Sequence, residues 1–304
     1  MTFEIFKELI IRNMKERIGE DYMLRVSEVI KNNGIKLTGI TATNKERNIG
    51  PTFYAEHLYK EYFSEDEVAV LADRLYELMV RYNPEEDLDL SDLFLYATAR
   101  ENIYAKVINA KLNKDLLSQV PHHRIYDLAI VFYYLLENEK LGGMGTILVR
   151  NDIMKEWGVS IEDVFSDAMK NTMDHFPVKC TNLQEVIKHM LEEECKEGEE
   201  DIRFDDPVPN MYVLTNEPSQ FGAICAFYKN ALKDIAYKLQ RNLYILPSSV
   251  HELILVPDGF DIDAKSLLKM VKEVNDTTLE ADEILSYSVY FYDRITDDLR
   301  VFEG

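Results

Sequence analysis

A chain of 304 residues, 46% of them hydrophobic, holds enough apolar material for one large core or two ordinary ones, which excludes wholesale disorder. Its 55 acids against 34 bases leave a net charge of −21, and such a surface repels phosphate backbones and anionic lipid heads. Nucleic acid and membrane are therefore not expected as partners, and the longest apolar runs, such as 128–136, are too short to span a bilayer.

Thr2 is placed to cap a first helix whose apolar residues recur at Phe3, Phe6, Ile10, Met14 and Ile18, with Gly19 as its stop. Two β-rich runs follow, 25–31 and 35–42, joined by Asn32-Asn33-Gly34. Asn-Gly supplies the positive φ angles of a tight turn, so this predicts a hairpin. Residues 44–51 are polar and read as a loop, and the aromatic-rich stretch 52–63 reads as a helix. Ser64-Glu65-Asp66-Glu67 is a capping box, and Val68, Leu71, Leu75, Leu78 and Tyr82 continue one helical face. An acidic break at 83–89 precedes a further helix, expected from Ser91 through Leu93, Tyr96 and Ile103 towards Leu112.

Pro121 marks a change of character. The runs 128–136 and 146–150 flank a polar, glycine-rich turn and predict a second hairpin with a buried face. Helices are expected at 160–173, capped by Ser160, and at 183–191. Residues 192–206 hold nine acids against two bases and are expected to be a solvated, flexible segment. Next come a strand at 211–214, a helix at 223–239, paired strands at 243–246 and 251–256, and a helix at 264–274. A hairpin of 286–292 with 299–302 closes the chain. Strands in hairpins, without β-helix-β alternation, predict an α+β fold of antiparallel hairpins packed with helices. Two sub-domains are expected: 1–119, helix-hairpin-helices, and 120–304, α+β.

Few residue groups have the spacing of a site. In Pro247-Ser248-Ser249-Val250-His251-Glu252, serine and histidine stand three apart, whereas nucleophile and base usually come from distant segments. His251-Glu252 begins like a zinc-protease motif, but Leu255 stands where the second histidine would be. His175, Cys180, His189 and Cys195 are too irregularly spaced for a zinc site, and no metal or cofactor is expected. Gly142-Gly143-Met144-Gly145 lacks the Gly-Lys-Ser/Thr of a phosphate loop and reads as a turn. Pro121-His122-His123-Arg124 with Asp127 gathers imidazoles, a guanidinium and a carboxylate at the foot of a buried strand. The residues expected to bind are His122, His123, Asp127, Ser248, Ser249 and His251.

The stretch 113–122 leading into Asp127-Leu128-Ala129-Ile130 resembles an uncharacterised bacterial domain-of-unknown-function family, frequent in gut Firmicutes and their mobile elements. The likeness continues at Trp157-Gly158-Val159-Ser160, at Met211-Tyr212-Val213-Leu214 and at 243–252. It implies no activity, cofactor or catalytic residue.

Cys180, Cys195 and Cys225 are odd in number and form no C-x-x-C pair, and Met1-Thr2-Phe3-Glu4 does not open a signal peptide. The expected location is the cytoplasm. Excess acid without catalytic spacing is the mark of a non-enzymatic interaction protein, its partner a protein with a basic surface, phosphate mimicry being one version. The alternatives are a hydrolase built from 121–127 and 248–251, and a small-molecule sensor with a pocket between the two halves.

Overall fold

The apolar spacing after Thr2 produces a helix. In the computed structural model, which describes residues 1–60, 63–83, 87–138, 143–194, 210–259 and 264–302, α1 spans Phe3–Arg17 and the Ile5 N–H donates to Thr2 Oγ1. The hairpin follows as β1 (Tyr22–Ile30) and β2 (Lys36–Asn44), antiparallel, with Asn33 and Gly34 at φ 60° and 71° in its turn. The stretch expected as a helix at 52–63 opens instead as a third strand, β3 (Thr52–Tyr54). It pairs with β2 before the short α2 (Ala55–Leu58), and residues 61–62 lie outside the described residues. Ser64 and Glu67 cap each other's backbone at the start of α3 (Glu65–Arg81).

The first core needs both helices. Phe6, Ile10 and Met14 of α1, at helical spacing, meet Val68, Ala72, Leu75 and Met79 of α3 over Ile40 and Ala42 of β2. Each of the larger side chains, fully buried, contributes about 1.5–3 kcal/mol of transfer free energy.

The helix expected across 91–112 is replaced by α4 (Ser91–Phe94), α5 (Tyr96–Ala99) and a strand, β4 (Ile103–Asn109). Six of the seven residues of β4 are buried, so the run shows no alternation, and its backbone is satisfied by pairing from Ile103↔Tyr134 to Asn109↔Leu128. Its partner is β6 (Leu128–Asn138), which also pairs with β5 (His122–Ile125) and β7 (Gly143–Leu148); α6 (Lys114–Leu117) lies between β4 and β5 in the chain. The chain divides into two compact units, Met1–Leu95 with Leu135–Ile147, and Tyr96–Tyr134 with Leu148–Gly304. The expected boundary at 119/120 thus falls inside the second unit, between strands β4 and β6 that hydrogen-bond to each other.

In the second unit α7 (Asn151–Trp157) leads to α8 (Ile161–His175), capped by Ser160 and Asp163. The hydroxyl of Thr172 in α8 accepts the Ala105 N–H at 2.9 Å, fixing the helix on β4. A six-stranded antiparallel sheet follows, in the order β13-β12-β10-β11-β9-β8. Its strands are β8 (Val178–Asn182), β9 (Tyr212–Asn216), β10 (Leu243–Leu246), β11 (Leu253–Pro257), β12 (Tyr290–Asp293) and β13 (Asp298–Val301). Helices α9 (Leu183–Glu194), α10 (Ala231–Leu239) and α11 (Ala264–Thr277) complete the unit. The helix expected at 223–239 is broken at Asn230, whose φ of 65° separates a 3-10 segment, Gly222–Phe227, from α10. The α+β class and the antiparallel pairing match the sequence reading. Of the acidic segment 192–206, residues 195–206 lie outside the described residues. Among the described residues no helix is long and apolar enough to cross a membrane.

Candidate functional site

Successive strand residues point to opposite faces, and this separates the two adjacent histidines of β5. His122, opposite Val131, sets its Nδ1 3.0 Å from Val120 O, while His123, opposite Ile130, packs its ring 5.0 Å from that of Phe165. They do not form a paired-imidazole site.

Asp127 is claimed by the segment leading into β12 and by that strand's first residue. Its Oδ2 accepts from Ser286 Oγ at 2.5 Å and Ser288 Oγ at 3.1 Å, and its Oδ1 accepts from Tyr290 OH at 2.5 Å. Burial, with the Asp127 carboxylate against its hydroxyl, pushes the Tyr290 phenol well above its ordinary value, so Tyr290 remains the donor. Three hydroxyls on one carboxylate make a saturated centre that anchors a loop.

The 248–251 turn is built from its own hydrogen bonds. Ser249 N–H donates to Glu252 O, and Ser249 Oγ accepts the His251 N–H at 3.0 Å. His251 Nδ1 accepts from the Phe221 N–H at 3.2 Å, its ring lies on that of Phe221, and its Nε2 is 3.8 Å from Glu283 Oε1. The neutral imidazole therefore carries its proton on Nε2. Nδ1 is thus taken by a backbone N–H, and Nε2 faces Glu283. Burial raises the neighbouring Glu252 carboxyl above its usual range, with Glu283 adding to the effect and His251 opposing it. The backbone around His251 is tightly packed: a Cβ on Gly222 would fall 2.6 Å from His251 O and 2.2 Å from Thr215 Oγ1.

At both described cysteines burial disfavours the thiolate. Burial holds the Cys180 thiol high and pushes that of Cys225 up to about 12. Cys195 and Gly142 lie outside the described residues, and Gly143–Leu148 is a strand. Among the described residues no group of three or more His, Cys, Asp and Glu residues is placed to hold a metal ion.

A concavity lies elsewhere in the second unit. Between the sheet and α11 lies a pocket of about 180 Å³. Leu183, Met211, Leu246 and Ile254 line it from one side, and Met270, Val271 and Val274 of α11 from the other. Among the described residues its polar lining residues are Ser248 and Asn275, and none of the described lining residues carries a charge. Asn275 is 2% exposed. Its Nδ2 donates to Ser286 O at 2.9 Å, and among the described residues its Oδ1 has no hydrogen-bond partner.

The sequence-selected residues are thus distributed: His122 and His123 on β5, Asp127 in a hydroxyl cluster, Ser249 and His251 in a turn, and Ser248 at the pocket. Asn275 is the residue that the sequence reading misses. Its signal is positional: Leu267, Val271 and Asn275 recur every fourth residue and all three are buried, so an amide stands in the apolar stripe of α11.

The family model DUF5688, described as a family of unknown function, matches residues 3–294. Nothing among the curated proteins or the solved structures matches the chain.

Proposed function

We propose, for a chain that belongs to the DUF5688 family of unknown function, a non-enzymatic role: binding a small, uncharged, largely apolar molecule in the pocket between α11 and the six-stranded sheet. The observation that carries this reading is the pocket itself, about 180 Å³ lined by aliphatic and methionine side chains. Apolar cavities of about 150 Å³ take up a guest the size of benzene. A charged ligand would lose its hydration there without meeting an opposite charge among the described lining residues, which disfavours it strongly. A net charge of −21, by contrast, singles out no residues to meet a basic protein partner.

Thermal denaturation with a panel of one- and two-ring neutral compounds tests the role. At ten times its Kd a true ligand adds about 1.4 kcal/mol to stability and raises Tm by about 2–4 °C. Val274→Phe, which fills the pocket, abolishes that shift. A panel that leaves Tm unmoved, or moves it equally in V274F, sinks the reading.

A further inference from the structure

We infer that His251 is an acid-sensitive latch: its neutral ring holds the backbone of Phe221, and its protonated ring lets that backbone go. The latch depends on a fixed polarity and is independent of the pocket. The Phe221 N–H can only donate, and it meets His251 Nδ1 at 3.2 Å, so this nitrogen must keep its lone pair. An imidazolium carries a proton on both nitrogens, which would set two donors face to face at this contact. The neutral and the charged ring cannot both keep the bond. With 32% of its side chain exposed, His251 is within reach of protons from solvent.

The backbone that the latch holds is under tension. Ser219 and Phe221 stand at φ 54° and 53°, left-handed values that a residue with a Cβ adopts at a cost. Asn216 clasps the loop nearby, its Oδ1 accepting the Gln220 N–H at 3.0 Å and its Nδ2 donating to Gln220 O at 2.8 Å. Release is therefore confined to Phe221. Nearby charge draws the proton to the ring. Glu283 Oε1 stands 3.8 Å from Nε2, and Glu252 is close enough for its carboxyl to feel His251. An imidazolium gains both attractions and the neutral ring gains neither. Lys106, whose Nζ lies 4.3 Å from the centre of the Phe221 ring, opposes that charge. The Tyr133 ring, 5.6 Å from that of Phe221, takes no part, because burial holds its phenol high and neutral.

Amide hydrogen exchange on the full chain tests the latch, read by NMR from about pH 7.5 to about pH 5 and corrected for the intrinsic pH dependence of exchange. Protection of the Phe221 amide is expected to fall at least about tenfold towards acid, the scale of one hydrogen bond lost. The Ala105 amide, held by Thr172 Oγ1, should keep its protection. The fall should share its midpoint with the titration of the His251 ring resonances. In His251→Asn an amide oxygen stands in for Nδ1 and does not protonate in this range, so protection should stay flat. Should H251N fail to fold, the coincidence of the two wild-type midpoints decides the matter alone. Protection that stays constant in the wild type, that falls away from the imidazole midpoint, or that falls equally in H251N would overturn the inference.

Discussion

Asp127 and Asn275 lean on the same stretch of chain and are treated in opposite ways. Ser286 gives its hydroxyl to Asp127 and its carbonyl to Asn275. Around Asp127 both carboxylate oxygens are met, by Ser286, Ser288 and Tyr290. Around Asn275 the amide nitrogen is met, and the oxygen, itself buried, has no partner among the described residues. A carboxylate met on both oxygens holds the fold, and a buried amide oxygen without a donor is a cost that the fold carries. Charge and residue type alone do not separate them; the count of partners does.

The largest effect should come from the saturated centre. Asp127→Ala leaves the hydroxyls of Ser286, Ser288 and Tyr290 facing no acceptor and is expected to lower stability by about 3 kcal/mol, whereas Asp127→Asn, which keeps one oxygen, loses about half of that. Urea denaturation, read as a shift in midpoint at constant slope, checks both. A D127A protein as stable as the wild type would erase the distinction between the two centres. Asn275→Leu should stay within about 1 kcal/mol of the wild type by the same measurement, because the lost bond to Ser286 is offset by removal of an unmet oxygen.

The smallest effect concerns Glu252, a half-buried carboxyl held high chiefly by burial. A folded-state pKa above the unfolded one adds stability at low pH that is lost as pH rises through the folded value. Glu252→Gln should therefore exceed the wild type in stability at pH 8, by less than about 1 kcal/mol, with the gap closing as pH falls towards the acid range. Denaturation midpoints at several pH values read the crossover. A gap that widens in acid would show that Glu252 is held low, like a paired carboxylate.

Local signals in the sequence carry much of the fold. The Asn33-Gly34 turn, the Ser64–Glu67 capping box and the Ser160 cap each act within a few residues, and each forms as read. The misreadings are non-local. β4 is buried on both faces, so Ile103–Asn109 has no alternation to distinguish it from a helix, and only its pairing with β6 decides. The break at Asn230 needs a left-handed residue that its neighbours do not announce. The site is legible only in part. Ser248 stands out in the sequence as a nucleophile and lies at the pocket for a different reason. Asp127 stands out for its charge, but the hydroxyls that use it up come from 159 or more residues further along the chain. Asn275 draws no attention, because a single amide in a helix is ordinary until the stripe around it is known to be buried.

Gly222 has a practical consequence for anyone diversifying this chain. The first carbon of any side chain there would collide with Thr215, with the carbonyl of His251 and with the Asn216 N–H at 2.7 Å, two of the three being main chain that has nowhere to go. A library randomised at 222 and screened for nothing but folded yield should return one letter, and that makes the position a ready internal standard for how stringent such a screen is.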